Sequence, residues 1–258
     1  MTQRIIIVLK KLLVVIMDIE VERLQHLIDQ AHHIVFFGGA GVSTESGIKD
    51  FRSKDGLYRL QSKYGRPYEE MLSHTYFMNH TDTFYQFYRE FMINTTAKPN
   101  AAHKFLAELE KKKDVVVITQ NIDGLHQMAG SQKVIELHGS IHRNYCMSCN
   151  EFYSLEDILK MDNTPRCPHC GDVIKPDVVL YEEGLDGSNI NNAIYSLMKA
   201  DLLIVAGTSL KVYPASGLIQ YYGGKNIVVI NKEHLYIRSG NVLEINSPVG
   251  EVFSQLKI

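Results

Sequence analysis

Four runs of apolar, mostly β-branched residues alternate with segments of helical periodicity along this chain. The runs are His33–Phe37, Val115–Ile118, Leu202–Ala206 and Ile227–Ile230. Strands that are apolar on both faces and separated by helices indicate a parallel sheet that is covered by helices on each side. The sequence therefore predicts an α/β fold, and 258 residues are enough for one large domain with an insert or for two modest domains.

Each apolar run is followed by small or polar residues. These clusters are Gly38–Ser43, Thr119–Asp123, Gly207–Ser209 and the single residue Asn231. In an open parallel sheet, ligands bind in the crevice beyond the carboxyl ends of the strands. We therefore expect the four clusters to converge on one ligand.

The first cluster is a glycine-rich loop between a strand and a segment compatible with a helix. Such glycines let backbone N–H groups approach a pyrophosphate at a helix N-terminus. The spacing departs from G-x-G-x-x-G, because after Gly39 and Gly41 the next glycine is Gly47. Taken alone, the loop fits a tight strand-to-helix turn equally well. The many hydrogen-bonding side chains between Ser43 and Ser53 favour a nucleotide.

The four cysteines of the chain form two C-x-x-C pairs with 17 residues between them. The pairs are Cys146 with Cys149 and Cys167 with Cys170. This spacing predicts one structural zinc ion with four thiolate ligands and no open position for substrate water. Two disulfides are the alternative, which the lack of a secretory signal disfavours.

Composition narrows the classes of partner. A net charge of −2, with 45% apolar and 22% charged residues, is typical of a globular protein and gives no basic footprint for nucleic acid. The apolar runs before Asp18 are split by Lys10 and Lys11 and are shorter than the ~20 residues that span a bilayer. We therefore expect a cytoplasmic protein that binds neither nucleic acid nor membrane, and a monomer. Residues 1–16 fit an upstream extension, or alternatively an edge strand or a membrane-surface segment.

Two stretches interrupt the alternation of strands and helices. Residues 53–97 are rich in Tyr, Phe and His at helical spacing, and residues 143–175 carry the cysteines. We predict a helical insert and a zinc-binding insert that pack together as a small domain. The predicted large domain comprises residues 18–52, 98–142 and 176–258, after an N-terminal extension of residues 1–17.

Seven motifs occur in a fixed order from about residue 18 to the C-terminus. They are GAGVSTESGIKDFRS, TQNIDGLH, ELHGS, the paired CxxC elements, KPDVVLYEE, GTSLKVYP and IN. In combination they resemble the sirtuin family of NAD-dependent protein deacylases. The resemblance implies a Rossmann-like, doubly wound parallel sheet with a smaller inserted domain made of a four-cysteine zinc ribbon and a helical module. It also implies that NAD and an acyl-lysine peptide bind between the domains, and that the products are nicotinamide, O-acyl-ADP-ribose and free lysine.

The resemblance also implies the residues of the NAD site. Those residues are Ala40, Gly41, Thr44, Phe51, Arg52, Gln120, Ile122, Asp123, His138, Gly207, Thr208, Ser209 and Asn231. In this assignment Phe51 shields the reacting carbon from water and Arg52 faces the phosphate or ribose. Asp123 and the backbone near Ile122 hold the nicotinamide carboxamide. Without the resemblance, Asp123 also fits the N-cap of a helix that begins at about Gly124.

Three residues are predicted to be catalytic: Asn121, Asp123 and His138. By resemblance, Asn121 contacts the ribose region. His138 is the predicted general base, because imidazole titrates near working pH and can accept the proton of a ribose hydroxyl. The chain has eleven histidines, and the ELHGS motif distinguishes His138 from the nearby His126 and His142.

The peptide side of the site is predicted at Val179, Leu180 and Tyr181. By resemblance, the substrate adds there as a further strand, so that an extended backbone is recognised more than a sequence. Two departures from the family pattern lie close to these sites. Lys49 stands where proline is usual, and Tyr181–Glu182 stands where many members have Phe-Gly.

A third departure concerns the acyl group. Members that act on acidic acyl groups have a Tyr-x-x-Arg pair, whereas here Tyr85 is followed by Tyr88. A succinyl carboxylate buried without a guanidinium costs several kcal/mol. We therefore predict acetyl and other uncharged acyl groups as substrates, unless a shift of the helix lets Arg89 substitute.

Three other functions stay open at this point. A protein mono-ADP-ribosyltransferase shares the cofactor and the first bond that is broken, although His138 and the Asp50-Phe51-Arg52 motif favour deacylation. A zinc-ribbon binding or scaffold module leaves the four strand-end clusters without a role. A dehydrogenase predicts a hydride product rather than free nicotinamide.

Overall fold

The structure is a computed structural model that describes residues 17–49, 61–237 and 241–258. Residues 1–16 of the predicted N-terminal extension lie outside these ranges, as do Phe51 and Arg52 of the predicted NAD site. Within the described ranges, no helix is long and apolar enough to cross a membrane.

The described residues form nine strands and ten α-helices. The strands are β1 (His33–Gly38), β2 (Asp114–Thr119), β3 (Val134–Glu136), β4 (Gly139–Cys146), β5 (Phe152–Ser154), β6 (Ile174–Val178), β7 (Leu202–Ala206), β8 (Asn226–Ile230) and β9 (Asn241–Ile245). The helices are α1 (17–30), α2 (Gln61–Tyr64), α3 (Tyr68–Met71), α4 (His74–Asn79), α5 (Thr81–Phe91), α6 (Ala101–Glu110), α7 (Leu125–Ala129), α8 (Leu155–Lys160), α9 (Gly187–Lys199) and α10 (Val249–Phe253).

Six of the strands form one parallel sheet in the order β3-β2-β1-β7-β8-β9. Numbered among themselves, these strands have the order 3-2-1-4-5-6, which is the doubly wound arrangement of dinucleotide-binding folds. The direction of winding reverses between β1 and β7, and a ligand crevice is expected beyond their carboxyl ends at Gly38 and Ala206. The predicted Rossmann-like α/β fold is therefore confirmed.

Strand β1 shows why both faces of this sheet are apolar. Ile34 and Phe36 point into a core shared with α1, α6 and α10, whereas Val35 and Phe37 point into a second core shared with α9. All four side chains are buried. Alternate residues of a strand face opposite sides, so a strand covered on both faces is apolar at every position.

A smaller unit contains an antiparallel sheet in the order β5-β4-β6 and the aromatic helices α2 to α5. Two side chains of α5 join its parts. Tyr85 donates its hydroxyl hydrogen bond to the carbonyl oxygen of Ile174 in β6. Arg89 donates from Nη2 to the carbonyl oxygens of Ile158 and Met161, at 2.8 Å each, beside the cysteine-bearing segment.

All four predicted strands are present, at β1, β2, β7 and β8. Strands β3 and β9 are additional, and neither has a long apolar run: β3 has three residues, and β9 has polar residues at Asn241 and Glu244. The predicted division between residues 142 and 143 falls inside β4, which pairs with β6 as early as Gly139. The assignment of segments to two domains stays a prediction.

Candidate active site

A cavity of about 520 Å³ lies beyond the carboxyl ends of β1 and β7 and continues to the small unit. Its volume is in the ~300–1,000 Å³ range of ligand pockets. The predicted site residues that line it are Ala40, Gly41, Thr44, Gln120, Asn121, Ile122, Asp123, His138, Val179, Leu180, Tyr181, Gly207, Thr208, Ser209 and Asn231. The expected convergence of the four strand-end clusters is thus observed, whereas the role of each residue stays a prediction.

The floor of the cavity is a close approach between two glycine-containing loops. The Gly41 N–H donates to the carbonyl oxygen of Gly207 at 2.7 Å. A Cβ atom on Gly41 would lie 2.7 Å from the Cα atom of Gly207, which itself has φ of 58°. Only glycine fits this contact without strain. Such a close approach of backbone is what the glycines of a pyrophosphate-binding loop permit.

The segment after the glycines differs from the predicted helix start. It forms two short 3-10 turns, Ala40–Val42 and Thr44–Ser46. Asn100, the N-cap of α6, holds this loop by donating from Nδ2 to the Val42 carbonyl oxygen at 2.8 Å and to Ser46 Oγ at 3.0 Å. Because tertiary contacts fix the loop, a continuous helix is not needed to keep it in place.

Gln120 carries an unused hydrogen-bond donor inside the cavity lining. Its Oε1 accepts from Thr208 Oγ1 at 3.0 Å, whereas its Nε2 is buried and has no partner among the described residues. A buried amide donor without an acceptor is costly, and a polar ligand would supply the acceptor. This orphaned group, together with the glycine contact, fits a nucleotide such as NAD.

Asn121, Ser43 and Asp123 form a hydrogen-bonded chain under the cavity. Asn121 Nδ2 donates to the Gly39 carbonyl oxygen and to Ser43 Oγ, at 3.1 Å each. Ser43 Oγ donates to Asp123 Oδ2 at 2.7 Å. Both amide hydrogens of Asn121 are therefore used, and its Oδ1 is left as an acceptor. Ser43 was missing from the predicted site, although its place in the glycine-rich motif was a usable signal.

Asp123 precedes Gly124, the N-cap of α7, and its predicted role in holding nicotinamide stays a prediction. Its Oδ1 accepts the N–H of Leu125, the first residue of α7, at 2.9 Å, so the carboxylate does stabilise that helix start. Its other oxygen faces Ser43, and the side chain lines the cavity. Burial raises the pKa of this carboxyl above its ordinary value, although the hydrogen bonds from Leu125 and Ser43 oppose the shift.

His138 lies between the glycine-lined part of the cavity and the small sheet. Its Nδ1 is 2.9 Å from the carbonyl oxygen of Gln120. A carbonyl can only accept, so Nδ1 carries the proton and Nε2 is left as the basic nitrogen. Burial lowers the pKa of this imidazole, against a smaller opposing effect of the Gln120 hydrogen bond. His138 is therefore neutral near pH 7, as a general base must be.

The wall predicted to receive the peptide is an extended segment that follows β6. Its own N–H groups are already engaged: Val179 donates to the His138 carbonyl oxygen, Leu180 to Glu183 Oε2, and Tyr181 to the Leu72 carbonyl oxygen. The next donor along the chain, the Glu182 N–H, has no acceptor among the described residues. The N–H group without an acceptor thus belongs to the turn that follows the predicted stretch, and the peptide wall at Val179 to Tyr181 stays a prediction.

The four cysteine sulfur atoms lie within 4.8 Å of one another. Individual Sγ–Sγ distances are 3.3 Å between Cys146 and Cys170, 3.6 Å between Cys149 and Cys167, and 3.7 Å between Cys149 and Cys170. A tetrahedron of Zn–S bonds of about 2.3 Å has S–S edges of about 3.8 Å. The donor set and its spacing therefore fit one zinc ion. The Tyr153 hydroxyl lies 3.1 Å from Cys167 Sγ, where it can donate to a thiolate.

Tyr88 stands where members that act on acidic acyl groups have an arginine, and its side chain is closed to ligands. Tyr88 is fully buried, stacks on Phe84 at a ring-centroid distance of 5.5 Å, and does not line the cavity. Arg89 is held by the carbonyl oxygens of Ile158 and Met161. The suggestion that Arg89 substitutes for the missing arginine therefore finds no support in its contacts.

Comparisons with known proteins agree with this geometry. A family model described as the Sir2 family matches residues 39–214. An NAD-dependent protein deacetylase of Clostridium acetobutylicum is 53% identical over 235 residues, covering 90% of this chain and 96% of the relative. An NAD-dependent protein deacetylase of Staphylococcus aureus is 42% identical over 239 residues, covering 92% of this chain and 98% of the relative.

Solved structures give the same result. One contains a Sir2 protein with a deacetylated p53 peptide and 3'-O-acetyl-ADP-ribose; it has a TM-score of 0.81 and 37% identity, and covers 90% of this chain and 95% of its own. Another contains Sir2 with a p53 peptide and NAD; it has a TM-score of 0.79 and 36% identity, with the same two coverages.

Proposed function

The chain belongs to the Sir2 family, and from that premise we propose that it is an NAD-dependent protein deacetylase acting on acetyl-lysine. One observation carries the proposal: the glycine-lined nucleotide crevice, His138 and the extended wall at Val179 line a single cavity. A nucleotide and an extended peptide bound in that cavity would meet beside the imidazole. The activity of the similar proteins supports deacetylation over ADP-ribosyl transfer, dehydrogenation or a scaffold role.

Residues of the large sheet are proposed to hold NAD. The close contact between the loops at Gly41 and Gly207 shapes the phosphate end of the cavity, the Gln120 Nε2 group offers an unpaired donor, and Asn121 Oδ1 offers an acceptor. When bound, NAD supplies the ribose that accepts the acetyl group, with nicotinamide as the leaving group.

His138 is proposed to act as the general base for the transfer. The neutral imidazole accepts a ribose hydroxyl proton at Nε2, while Nδ1–H stays bonded to the Gln120 carbonyl oxygen. That carbonyl also stabilises the imidazolium that forms, because a hydrogen bond from a charged donor is stronger than one from a neutral donor. Gln120 would therefore serve the site twice, with its side chain on the cofactor and its backbone on the base.

The zinc ion is proposed to have a structural role. All four of its ligand positions would be filled by Cys146, Cys149, Cys167 and Cys170, so it has no place for a reacting group. Its effect would be to fix β4 and β6, whose last and first residues, Cys146 and Ile174, pair beside the cluster. The other ends of the same strands carry His138 and Val179.

Acetyl and other uncharged acyl groups are the proposed substrates. Apolar and aromatic side chains, including Leu72, Phe91 and Met92, line part of the cavity. Neither Tyr88, which is uncharged, nor Arg89, which is bonded to the carbonyl oxygens of Ile158 and Met161, would pair with an acyl carboxylate there.

The experiment that tests the proposed activity is mass spectrometry of an acetyl-lysine peptide incubated with the protein and NAD. We expect loss of the acetyl mass from the peptide, together with formation of acetyl-ADP-ribose and nicotinamide. A gain of ADP-ribose on the peptide would instead identify an ADP-ribosyltransferase. An unchanged peptide with zinc-loaded protein would contradict the proposal.

A further inference from the structure

Glu182 occupies a backbone conformation that favours glycine. Its φ of 76° lies in the left-handed region, and it is one of four non-glycine residues with positive φ in the described part of the chain. An L-residue with a β-carbon pays roughly 1–2 kcal/mol for this conformation. The backbone alone thus gives no reason for glutamate here, and its side chain is the feature to explain.

The Glu182 side chain is held in a defined place at the cavity wall. Its Oε2 accepts the backbone N–H of Thr75 in α4 at 2.8 Å, and the residue lines the cavity. The preceding residue is fixed through both of its backbone groups: Tyr181 donates to the Leu72 carbonyl oxygen and accepts from the His74 N–H. The Glu182 carboxylate is therefore held in one position rather than free to move in solvent.

The charge of Glu182 is not matched by a cation. Neighbouring Glu183 is paired with Lys175 at 3.1 Å and with His74 at 2.8 Å. For Glu182, in contrast, no ion pair forms with any described residue, and its hydrogen-bond donors are the neutral backbone N–H and side chain of Thr75. Hydrogen bonding from Thr75 lowers the pKa of this exposed carboxyl, so the group is ionised near pH 7.

The backbone N–H of the same residue, in the turn that follows the predicted peptide wall, is available to a peptide. The Glu182 N–H lacks an acceptor among the described residues, whereas the N–H groups of Val179, Leu180 and Tyr181 are all engaged. A peptide whose carbonyl oxygen accepts this N–H passes close to the Glu182 carboxylate, because both groups belong to one residue of the cavity wall.

We propose that Glu182 is a specificity-determining residue that favours acetyl-lysine peptides with a positively charged residue next to the acetyl-lysine. This inference rests on the proposed deacetylase function. The preference is electrostatic, so it weakens with ionic strength. For an exposed ion pair the expected advantage of an arginine-flanked peptide over a glutamate-flanked one is about twofold to fivefold.

The test compares kcat/KM for acetyl-lysine peptides that differ in one flanking residue, which is arginine, glutamine or glutamate on either side of the acetyl-lysine. We expect the arginine-to-glutamate ratio in the unaltered protein to exceed twofold on at least one side at low ionic strength and to fall at high ionic strength. In Glu182→Gln the ratio should fall to about one, because glutamine keeps an acceptor for the Thr75 N–H but has no charge.

Two further variants make the test decisive. Glu182→Gly suits the left-handed backbone and also removes the charge, so the ratio should be lost there as well. Glu108→Gln removes an exposed charge from α6, outside the cavity lining, and should leave the ratio unchanged. A ratio that persists in both Glu182 variants, or no ratio in the unaltered protein, overturns this inference. If the glutamine-flanked peptide is not deacetylated at all, the proposed function itself fails.

Discussion

The backbone N–H of Val179 donates to the carbonyl oxygen of His138 at 3.0 Å. This hydrogen bond joins the proposed base to the first residue of the peptide wall. Both residues lie at the root of the small sheet, where Gly139 of β4 pairs with Val178 of β6. At the far end of the same strands, Cys146 pairs with Ile174. The cysteine cluster and the proposed base thus lie at opposite ends of one strand pair.

Tyr153 offers a way to test that connection at the metal end. Its hydroxyl lies 3.1 Å from Cys167 Sγ, and a donor to a zinc-bound thiolate stabilises the metal site. We expect Tyr153→Phe to lose zinc to a chelator about tenfold faster, as measured by a chromogenic zinc indicator. Tyr145→Phe, a change in the neighbouring strand β4, is the matched control and should release zinc at the original rate. Equal rates in all three proteins would rule out this role for Tyr153.

Gln120 tests the nucleotide half of the cavity. Its buried Nε2 has no partner among the described residues, so we expect Gln120→Ala to remove one hydrogen bond to NAD. One neutral hydrogen bond corresponds to a rise of about threefold to tenfold in the KM for NAD, with little change in the KM for peptide. Gln127→Ala alters an exposed glutamine of α7 and should change neither constant. A larger effect on peptide than on NAD would contradict the assignment.

Acyl preference follows from the contacts of Tyr88 and Arg89. Because Tyr88 is uncharged and Arg89 is bonded to carbonyl oxygens, we expect succinyl-lysine to be turned over about 100-fold more slowly than acetyl-lysine on the same peptide, which is equivalent to a few kcal/mol. Butyryl-lysine is the control, because the butyryl group is similar in length to the succinyl group and has no charge. Turnover of all three can be measured by nicotinamide release. A succinyl rate above the acetyl rate would show that the cavity supplies a cation.

Acid should destabilise the protein through a buried histidine. Burial lowers the pKa of His103 from 6.5 to about 4. Between pH 6.5 and pH 4, the unfolded chain therefore binds a proton at His103 and the folded chain does not. The contribution of neutral His103 to the free energy of unfolding is complete above pH 6.5 and is lost as pH falls towards 4. Between pH 7 and pH 5 the loss from His103 is about 2 kcal/mol in the free energy of unfolding.

Urea unfolding at the two pH values measures this loss. The difference between pH 7 and pH 5 should be smaller in His103→Gln than in the unaltered protein, because the buried titrating group is gone. His26→Gln changes an exposed histidine of α1 and should leave the difference as it is. An identical pH dependence in His103→Gln would show that His103 does not titrate as its burial implies.

The sequence predicted the parts of the fold that depend on apolar runs. Strands β1, β2, β7 and β8 are apolar at nearly every position, because both of their faces are covered. Strand β3 could not be found this way, because its three residues pair with β2 only through tertiary contact. The loop after Gly41 was expected to start a helix, but contacts from Asn100 hold it as 3-10 turns instead.

The sequence indicated those residues of the cavity lining that belong to family motifs. The nominated residues between Gln120 and Asp123 do line the cavity, as does His138. Motif comparison does not reveal which hydrogen-bonding atoms are already used. The amide hydrogens of Asn121 are used by Gly39 and Ser43, and the N–H groups of Val179 to Tyr181 are used within the protein, because both depend on three-dimensional contacts.

The measurement that tests the central claim most directly is the deacetylation rate of His138→Ala on an acetyl-lysine peptide with NAD. We expect the rate to fall at least about 100-fold, since a general base contributes about 10²–10⁴. The melting temperature and the affinity for peptide should stay close to those of the unaltered protein, and His26→Ala should keep full activity. A properly folded His138→Ala protein that deacetylates at the original rate would contradict the account.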